Sequence, residues 1–164
     1  MKQRITVVKI GGALLEEEAR LAMISNAFAS LDGMRILVHG GGKRATEVSR
    51  ALGIEPNLRD GRRITDAKTL EVVTMVYAGW ANKTLVARLQ SLGCNAIGLS
   101  GADADLIRAV KRPAKDLDYG FVGDVEHVAV KTLIPLLQSG LTPVFCALTH
   151  DGKGQLLNTN EDTV

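Results

Sequence analysis

Two short segments are apolar on both of their faces, and they restrict the fold more than any other feature of the chain. They are ITVVKI (residues 5–10) and RILVH (residues 35–39). Both contain β-branched side chains, and such segments are typical of strands buried in a parallel sheet that is covered on both sides. Residues 16–31 lie between them and carry Leu21 and Phe28 at helical spacing. The three segments together predict a βαβ unit.

The rest of the chain continues this alternation. Further helices are predicted at about 43–52, 66–91 and 128–139, and further buried strands at 95–99 and 142–148. The alternation favours an α/β fold: a mostly parallel open sheet with helices on both faces, an αβα sandwich. Because 164 residues suit one full-sized domain and 46% of them are hydrophobic, we expect a single domain over residues 1–164.

The longest predicted helix, residues 66–91, begins at a capping signal formed by Thr65 and Asp66. Its apolar residues toward one side are Leu70, Val73, Val76, Trp80 and Leu85. We expect Trp80 to lie in the core or in a subunit interface, and not to form a platform for a ligand.

Residues 106–112 and 117–128 interrupt the helical pattern. Apolar and polar side chains alternate in both, with turn residues between and inside them. This pattern predicts antiparallel strands or a hairpin at the rim of the sheet. Such a β-hairpin lid could cover a bound ligand.

Composition and charge exclude several classes of partner. Basic and acidic residues, 20 and 18 of them, are interspersed, so no basic face is available for nucleic acid or an anionic membrane. The apolar stretch near the start is too short for a signal peptide core or a membrane span, and we expect a cytoplasmic protein. Cys94 and Cys146 lie in apolar contexts without metal-ligand spacing, which favours two buried free thiols over a disulfide or a metal site.

Glycine-rich turns follow the first two predicted strands: Gly11 and Gly12 after the first, Gly40–Gly42 after the second. In open α/β sheets ligands bind beyond the carboxyl ends of the strands, and glycine lets backbone N–H groups point at an anion without a Cβ in the way. One such turn is explained more simply as a tight connection, but two together favour a site for a phosphate or a carboxylate. Neither turn has the spacing GxxxxGK(S/T) or GxGxxG, so ordinary P-loop and Rossmann chemistry is disfavoured.

Charged and amide side chains in two segments suit such a site. Lys9 stands two residues before Gly11, where its charge could neutralise a transferred phosphoryl group, although a lysine at a strand end can also simply reach solvent. Asn158, Asn160 and Asp162 are spaced two apart and share one face if the segment is extended. Amides can bind a carboxylate or an amide carbonyl, and an acid can hold lysine ammonium groups, but this stretch taken alone is more typical of a structural turn.

The chain contains, in this order, VVKIGGALL, LVHGGGKRATE, GRRITDAKTLEVVTMVYAGWANKTLVARL, GLSGADADLI, DYGFVGDV and LLNTNEDTV. In these motifs and their order it resembles the N-acetylglutamate kinases of the amino acid kinase family. The resemblance extends over nearly the whole chain, and no general fold signal explains the GRRITDAKTLEVV block. It implies that ATP, with Mg²⁺ held by the nucleotide phosphates, phosphorylates the side-chain carboxylate of N-acetylglutamate to an acyl phosphate in arginine biosynthesis.

The resemblance assigns four residues to phosphoryl transfer. Lys9 would stabilise the transferring phosphoryl group, and the backbone amides of Gly11 and Gly12 would bind the phosphates of ATP. Asp162 would organise the lysines around the phosphoryl group.

Five more residues are assigned to the acylated amino acid. Gly41 and Gly42 would lie against it. Arg63, the second arginine of GRRIT, would hold its α-carboxylate as a bidentate pair, a geometry that a planar guanidinium suits and an ammonium does not. Asn158 and Asn160 would also contact the substrate.

The sequence departs from the family at two positions near these residues. Lys43 stands where members usually have proline, and Glu161 where they usually have alanine. Lys43 could add positive charge near the acyl end, so N-succinylglutamate is an alternative to N-acetylglutamate. Glu161 would place a second carboxylate beside the catalytic centre unless it turns away.

The family also predicts the organisation of the protein. Members continue into a second lobe that binds adenine and ribose and supplies a further lysine, so we expect this chain to be the amino-acid-binding lobe and, alone, a poor catalyst or none. Arginine-inhibited members have an additional N-terminal helix that links dimers into a ring. Since four residues precede Ile5, we expect a homodimer without arginine feedback, formed through the helix at 66–91.

Two other functions are compatible with parts of the sequence. HGGG (39–42) resembles the oxyanion-hole segment of lipases, and GLSGA (98–102) differs by one residue from GxSxG, with Asp124 or Asp151 and His127 or His150 downstream. An esterase with Ser100 as nucleophile is disfavoured because a short polar turn and a strand follow Ser100 where a helix is required. The other alternative is a non-catalytic module for acyl-amino-acid binding or dimerisation.

Overall fold

The computed structural model describes residues 4–59, 61–114 and 116–164. Its strands are β1 (Ile5–Ile10), β2 (Met34–His39), β3 (Leu58–Arg59), β4 (Arg62–Arg63), β5 (Ala96–Leu99), β6 (Ile107–Lys111), β7 (Val122–Val128), β8 (Thr142–Cys146), β9 (Leu148–His150) and β10 (Leu156–Thr159). Its α-helices are α1 (Glu18–Ala29), α2 (Gly42–Ala51), α3 (Ala67–Thr74), α4 (Asn82–Ser91) and α5 (Val130–Gln138). A π-helical segment, Met75–Ala81, joins α3 to α4, and 3₁₀ turns lie at Leu14–Glu16 and Asp103–Asp105.

The predicted parallel sheet is confirmed. Its strands run in the order β1-β2-β8-β5, and each neighbouring pair is parallel. Leu37 of β2 pairs with Val8 of β1 and with Val144 of β8, and Val144 pairs with Gly98 of β5. Because β1 and β2 are parallel neighbours, their carboxyl ends meet at one edge of the sheet. The two glycine-rich turns therefore begin side by side.

Helices cover both faces of the sheet at β2, as the sequence predicts, but the two-sided burial predicted for residues 5–10 is wrong: β1 is an edge strand, and its Val7 is 60% exposed. Leu37 packs with Phe28 of α1 and Leu85 of α4 on one face. Its neighbour Ile36 points to the other face, since alternate strand residues do, and packs with Leu137 of α5. Full burial of an apolar side chain of this size contributes about 1.5–3 kcal/mol. These two layers hold the strand ends, and so the glycine-rich turns, in fixed positions.

The helix predicted at 66–91 is interrupted by the π-helical segment. Its start is as predicted, because the Asp66 side chain accepts a 2.7 Å hydrogen bond from the backbone N–H of Thr69. A π turn holds more residues than an α turn, so the side chains beyond it face a different direction. Trp80, near the end of this segment, is 44% exposed and lies beneath the guanidinium of Arg44, whereas Tyr77 is buried. The core position predicted for Trp80 is wrong, and the interface position stays a prediction.

The antiparallel pairing predicted for the two alternating segments is confirmed. β6 and β7 pair antiparallel, with a bulge at Arg108 and Ala109. They do not form a separate lid, however, because β9 and β10 join them in a closed four-stranded barrel. The strand predicted at 142–148 accordingly ends at Cys146, and the chain continues into the barrel as β9.

Two smaller expectations concern the interior and the membrane. Cys94 and Cys146 are buried free thiols, as predicted. Burial raises the pKa of the Cys146 thiol to about 12, so it is un-ionised at neutral pH. Within the ranges that the structure describes, none of the helices combines the length and the apolarity that crossing a bilayer demands.

Candidate functional site

A cavity of about 360 Å³ lies at the edge of the sheet where β1 and β2 end. The site residues predicted from the sequence that line it are Gly12, Gly42, Arg63, Asn158, Asn160 and Asp162. Lys9 and Gly41 adjoin this lining, because Lys9 contacts Asp162 and Gly41 contacts Gly12. Gly11 adjoins it through its chain neighbour Gly12. The cavity therefore brings together residues from both ends of the chain.

The two glycine-rich turns are in direct contact. A Cβ placed on Gly12 would lie 2.7 Å from the backbone nitrogen of Gly42 and 2.8 Å from that of Gly41. Neither nitrogen belongs to a flexible side chain, so a larger residue than glycine would force the turns apart. The backbone N–H groups of Gly41 and Gly42 in the second turn therefore lie against the first turn.

Helix α2 begins at the cavity. Gly42, its first residue, and Lys43, its second, both line the cavity wall. The first N–H groups of a helix have no partner within the helix, and its N-terminus carries partial positive charge. This end of the cavity is suited to an anion such as a carboxylate or a phosphate.

Lys9 is held by two carboxylates at the end of β1. Its Nζ lies 2.7 Å from Asp162 Oδ1 and 4.0 Å from Glu161 Oε1. The hydrogen bond to Asp162, together with the charges of both carboxylates, raises the pKa of Lys9 above its ordinary value despite partial desolvation. Glu161 also lines the cavity, so it does not turn away from the site. The result is a positioned ammonium group at neutral pH.

A face shared by Asn158, Asn160 and Asp162 would require the whole segment to be extended. The structure shows that it is not. β10 ends at Thr159, and a turn follows in which Thr163 N–H donates to the Asn160 carbonyl. Within this turn the backbone N–H of Asp162 donates to Asn160 Oδ1 at 2.9 Å. Asn158 is buried, and its Nδ2 donates to Thr65 Oγ1 at 3.0 Å. The turn, and not strand periodicity, brings Asp162 to Lys9.

Arg63 is the buried cation of the cavity. Only 6% of the residue is exposed, and its Nη2 donates to the Gly42 carbonyl at 2.9 Å and to Thr46 Oγ1 at 2.7 Å. Nη1 is buried without a hydrogen-bond partner among residues 4–59, 61–114 and 116–164. Since both protons of Nη2 are engaged, Nη1 is the terminal nitrogen that lacks a protein acceptor among those residues. A bidentate contact through both nitrogens requires one of the Nη2 contacts to give way.

Three further cations line the same cavity: Lys43, Arg62 and Arg112. Arg112 Nε lies 3.1 Å from both carboxylate oxygens of Asp124, and this hydrogen bonding lowers the pKa of Asp124 below its ordinary value. Arg112 also lies over the ring of Tyr119, at 5.6 Å from its centroid. Its position is thus set by an ion pair and an aromatic ring.

Tyr77 and Arg112 line the cavity but were not predicted from the sequence. The Tyr77 ring packs on Gly41 so closely that a Cβ there would lie 2.6 Å from Tyr77 Cδ1. Burial raises the pKa of the Tyr77 hydroxyl, and the nearby Arg63 lowers it. In the sequence, Tyr77 resembles the other apolar positions of its predicted helix, and Arg112 is the last residue of a segment with alternating apolar and polar side chains. Neither position carries a sequence signal for a site.

Ser100 has none of the arrangement that an esterase requires. Its Oγ donates to Asp103 Oδ2 at 2.8 Å, and a 3₁₀ turn and β6 follow it. In the part of the chain that the structure describes, no imidazole is hydrogen-bonded to Ser100. His150 lies instead beside Asp105.

The sequence is similar to a known protein family over almost its whole length. A family model described as the amino acid kinase family matches residues 4–164. The chain is 56% identical over 164 residues to an acetylglutamate kinase of Bacteroides thetaiotaomicron, covering 100% of this chain and 64% of that protein. It is also 56% identical over 163 residues to an acetylglutamate kinase of Cytophaga hutchinsonii, covering 99% of this chain and 62% of that protein. The chain thus spans less than two thirds of the length of these relatives.

A solved structure has the same fold. The protein smu.665 from Streptococcus mutans UA159 superposes with a TM-score of 0.78 at 22% identity, over 97% of this chain and 64% of that chain. At this identity the likeness concerns the fold alone. The family match, in contrast, includes the glycine-rich turns, Arg63 and the Asn158–Asp162 segment that form the cavity. The chain belongs to the amino acid kinase family.

Proposed function

We propose that the protein acts in ATP-dependent phosphorylation of the side-chain carboxylate of an N-acyl-L-glutamate, with an acyl phosphate and ADP as products. The observation that carries the proposal is Arg63, which lines the cavity together with Asp162 and whose buried Nη1 has no partner among the described residues. A buried, unpaired guanidinium nitrogen is costly unless a ligand completes it. The substrate's α-carboxylate supplies the anion, and Asn158 and Asn160 support the rest of the amino acid.

In this mechanism a side-chain carboxylate oxygen attacks the γ-phosphorus of ATP, and the bond from that phosphorus to the β–γ bridging oxygen breaks. Lys9, held by Asp162, neutralises charge on the transferring phosphoryl group. The Gly11 and Gly12 amides bind the nucleotide phosphates, and Mg²⁺ would be held by those phosphates and would neutralise part of their charge. The contact of Gly12 with the backbone nitrogens of Gly41 and Gly42 supports this arrangement, because Gly12 and Gly42 both line the cavity.

The acyl group is acetyl or succinyl. Lys43, Arg62 and Arg112 line the cavity and would favour an acyl group that carries a carboxylate. An acetyl group needs none of these charges. The affinities for the two substrates decide between them.

The protein acts in the cytoplasm as a homodimer formed through the helical segment that includes Trp80. Trp80 and Met75 are both exposed large apolar side chains on the π-helical segment. Aromatic and methionine side chains are enriched in interfaces between proteins, which supports this choice of surface. Light scattering that gives the mass of a monomer at micromolar concentration would contradict it.

Calorimetry and hydroxamate trapping test the proposed function. The chain is titrated with N-acetyl-L-glutamate and N-succinyl-L-glutamate, with free L-glutamate as the control ligand, and one acylated ligand is expected to bind more tightly than the control. Acyl phosphate is then trapped with hydroxylamine, using MgATP and protein expressed from its complete reading frame. Binding without any ATP-dependent hydroxamate would favour a non-catalytic binding module. Failure to bind either acylated ligand would overturn the proposal.

A further inference from the structure

His39 is a buried imidazole directly beneath the second glycine-rich turn. It is the last residue of β2 and is 0% exposed. Its Nδ1 lies 2.7 Å from the carbonyl oxygen of Gly40, the next residue. Its Nε2 lies 3.0 Å from Nδ2 of Asn82, the first residue of α4. The ring therefore connects this turn to a helix on the face of the sheet.

The partners define which nitrogen carries the proton. A carbonyl oxygen can only accept a hydrogen bond, so His39 Nδ1 donates to Gly40. Two contacts fix the orientation of the Asn82 amide. Asn82 Oδ1 lies 3.2 Å from the ammonium of Lys83, and Asn82 Nδ2 donates to the Val144 carbonyl at 2.9 Å. Asn82 Nδ2 is therefore a donor toward the ring, and His39 Nε2 accepts. The imidazole is neutral in the Nδ1–H tautomer, and burial lowers its pKa to about 4, in agreement with this assignment.

The hydrogen bond from His39 fixes the orientation of a peptide unit in the turn. In a planar trans peptide the carbonyl and the N–H of the next residue point in opposite directions. With the Gly40 carbonyl drawn toward His39, the N–H of Gly41 points away from the ring. The Gly41 nitrogen lies 2.8 Å from the Cβ position of Gly12, where the two turns meet. The Gly40 N–H donates to the Ile10 carbonyl at 3.2 Å, which fixes the other side of this residue.

We propose that His39, oriented by Asn82, is a positioning residue that directs the Gly41 N–H to the anionic end of the ligand bound in the cavity. The proposal rests on the proposed function of that cavity. His39 touches neither the ligand nor the reacting atoms, and acts through the Gly40–Gly41 peptide. The orientation of this peptide depends on a hydrogen-bond donor at the Nδ1 position, and a different side chain with a donor there would serve as well as an imidazole.

Two substitutions separate the donor from the ring. His39→Asn places an amide nitrogen near the Nδ1 position and keeps the donor, whereas His39→Leu removes it. Calorimetry with N-acetyl-L-glutamate and N-succinyl-L-glutamate is expected to give affinity within about threefold of wild type for His39→Asn, and a loss of about tenfold or more for His39→Leu, the size expected for one misdirected hydrogen bond. His127→Asn, at an exposed position on β7, is the control. Thermal melts establish that each variant is folded, and His39→Gln, which lacks a donor near Nδ1, replaces His39→Leu if that variant does not fold.

The ¹⁵N shifts of the wild-type ring test the assignment without any ligand. A protonated Nε2 and an unprotonated Nδ1 at pH 7 would overturn the proposal. Equal losses of affinity in His39→Asn and His39→Leu would also overturn it, as would wild-type affinity in both with only their melting temperatures lowered. A wild-type protein that binds neither acylated ligand contradicts the proposed function itself, a result distinct from a difference between variants.

Discussion

Lys9 Nζ lies 2.7 Å from Asp162 Oδ1, and this ion pair joins the end of the first strand to the turn after the last. The two residues are separated by nearly the whole sequence, yet the pair adjoins a single cavity. Asp162 holds the ammonium group where a phosphoryl group would be transferred. The pair therefore gives a direct test of the phosphoryl-transfer proposal.

Lys9→Met is expected to reduce acyl phosphate formation by a factor on the order of 100 or more, because a positioned charge that stabilises the transition state is lost. Asp162→Asn is expected to reduce it less and to lower the pKa of Lys9, since the hydrogen bond to Asp162 is the main cause of the raised pKa. Hydroxamate trapping measures the first effect, and NMR titration of the Lys9 side chain the second. Lys131→Met, at an exposed position on α5, is the control. Activity of Lys9→Met within twofold of that control would contradict the role of Lys9.

Arg63→Lys is expected to weaken binding of N-acylglutamate by about ten- to a hundredfold, because it removes the free Nη1 donor and the planar guanidinium that donates to Gly42 and Thr46. Arg62→Lys is the matched control, since Arg62 is exposed although it lines the cavity. Its expected loss of affinity is much smaller. Calorimetry measures both affinities, and thermal melts check folding. Equal, small losses would show that Arg63 is not the carboxylate ligand.

The parallel sheet and its helices could be predicted because both signals are local. Residues 35–39 are apolar on both faces, and the strand they form is covered on both sides. Residues 5–10 show the same pattern but form the edge strand β1, whose Val7 is 60% exposed, so the pattern identified the strand but not its cover. The π-helical segment could not be predicted, because its extra residue leaves no mark in a pattern read at 3.6 residues per turn. For this reason the core was one of the two positions expected for Trp80, which is in fact 44% exposed.

From the residue pattern, the site could be predicted only where its residues lie next to a predicted strand in the sequence. The glycine-rich turns follow strands directly and Lys9 is the next-to-last residue of β1, so the rule that ligands lie beyond strand ends identifies them. Arg63 was assigned from the family resemblance, since it lies in the two-residue strand β4 of the β3–β4 ribbon and not in the parallel sheet. Arg112 comes from the barrel, and its position depends on the pairing of β6 with β7. No local pattern reports such a pairing.

Gly12→Ala is expected to separate the two glycine-rich turns, because the added Cβ meets the backbone nitrogens of Gly41 and Gly42 at under 3 Å. The expected results are a lower melting temperature and at least a tenfold loss of affinity for N-acylglutamate, in keeping with overpacking costs of about 1–3 kcal/mol. Gly11→Ala is the matched control, since the nearest atom to its added Cβ is Lys9 Nζ at 3.9 Å. If both variants melt and bind alike, the contact between the turns is not important for the site.

His39 predicts a specific pH dependence of stability. Burial lowers its pKa from 6.5 to about 4, so the folded protein keeps the ring neutral while the unfolded chain takes up a proton below pH 6.5. The stability that His39 contributes is thus complete above pH 6.5, falls as the pH drops from 6.5 to 4, and changes no further below that. Between pH 8 and pH 5 this one group should lower the free energy of unfolding by about 2 kcal/mol. Urea denaturation at several pH values, compared with His39→Asn, isolates the effect because all other side chains are the same in the two proteins. As the pH falls from 8 to 5, the free energy of unfolding of the wild type should fall by about 2 kcal/mol more than that of His39→Asn. If the two free energies of unfolding instead change in parallel with pH, burial does not hold the ring neutral.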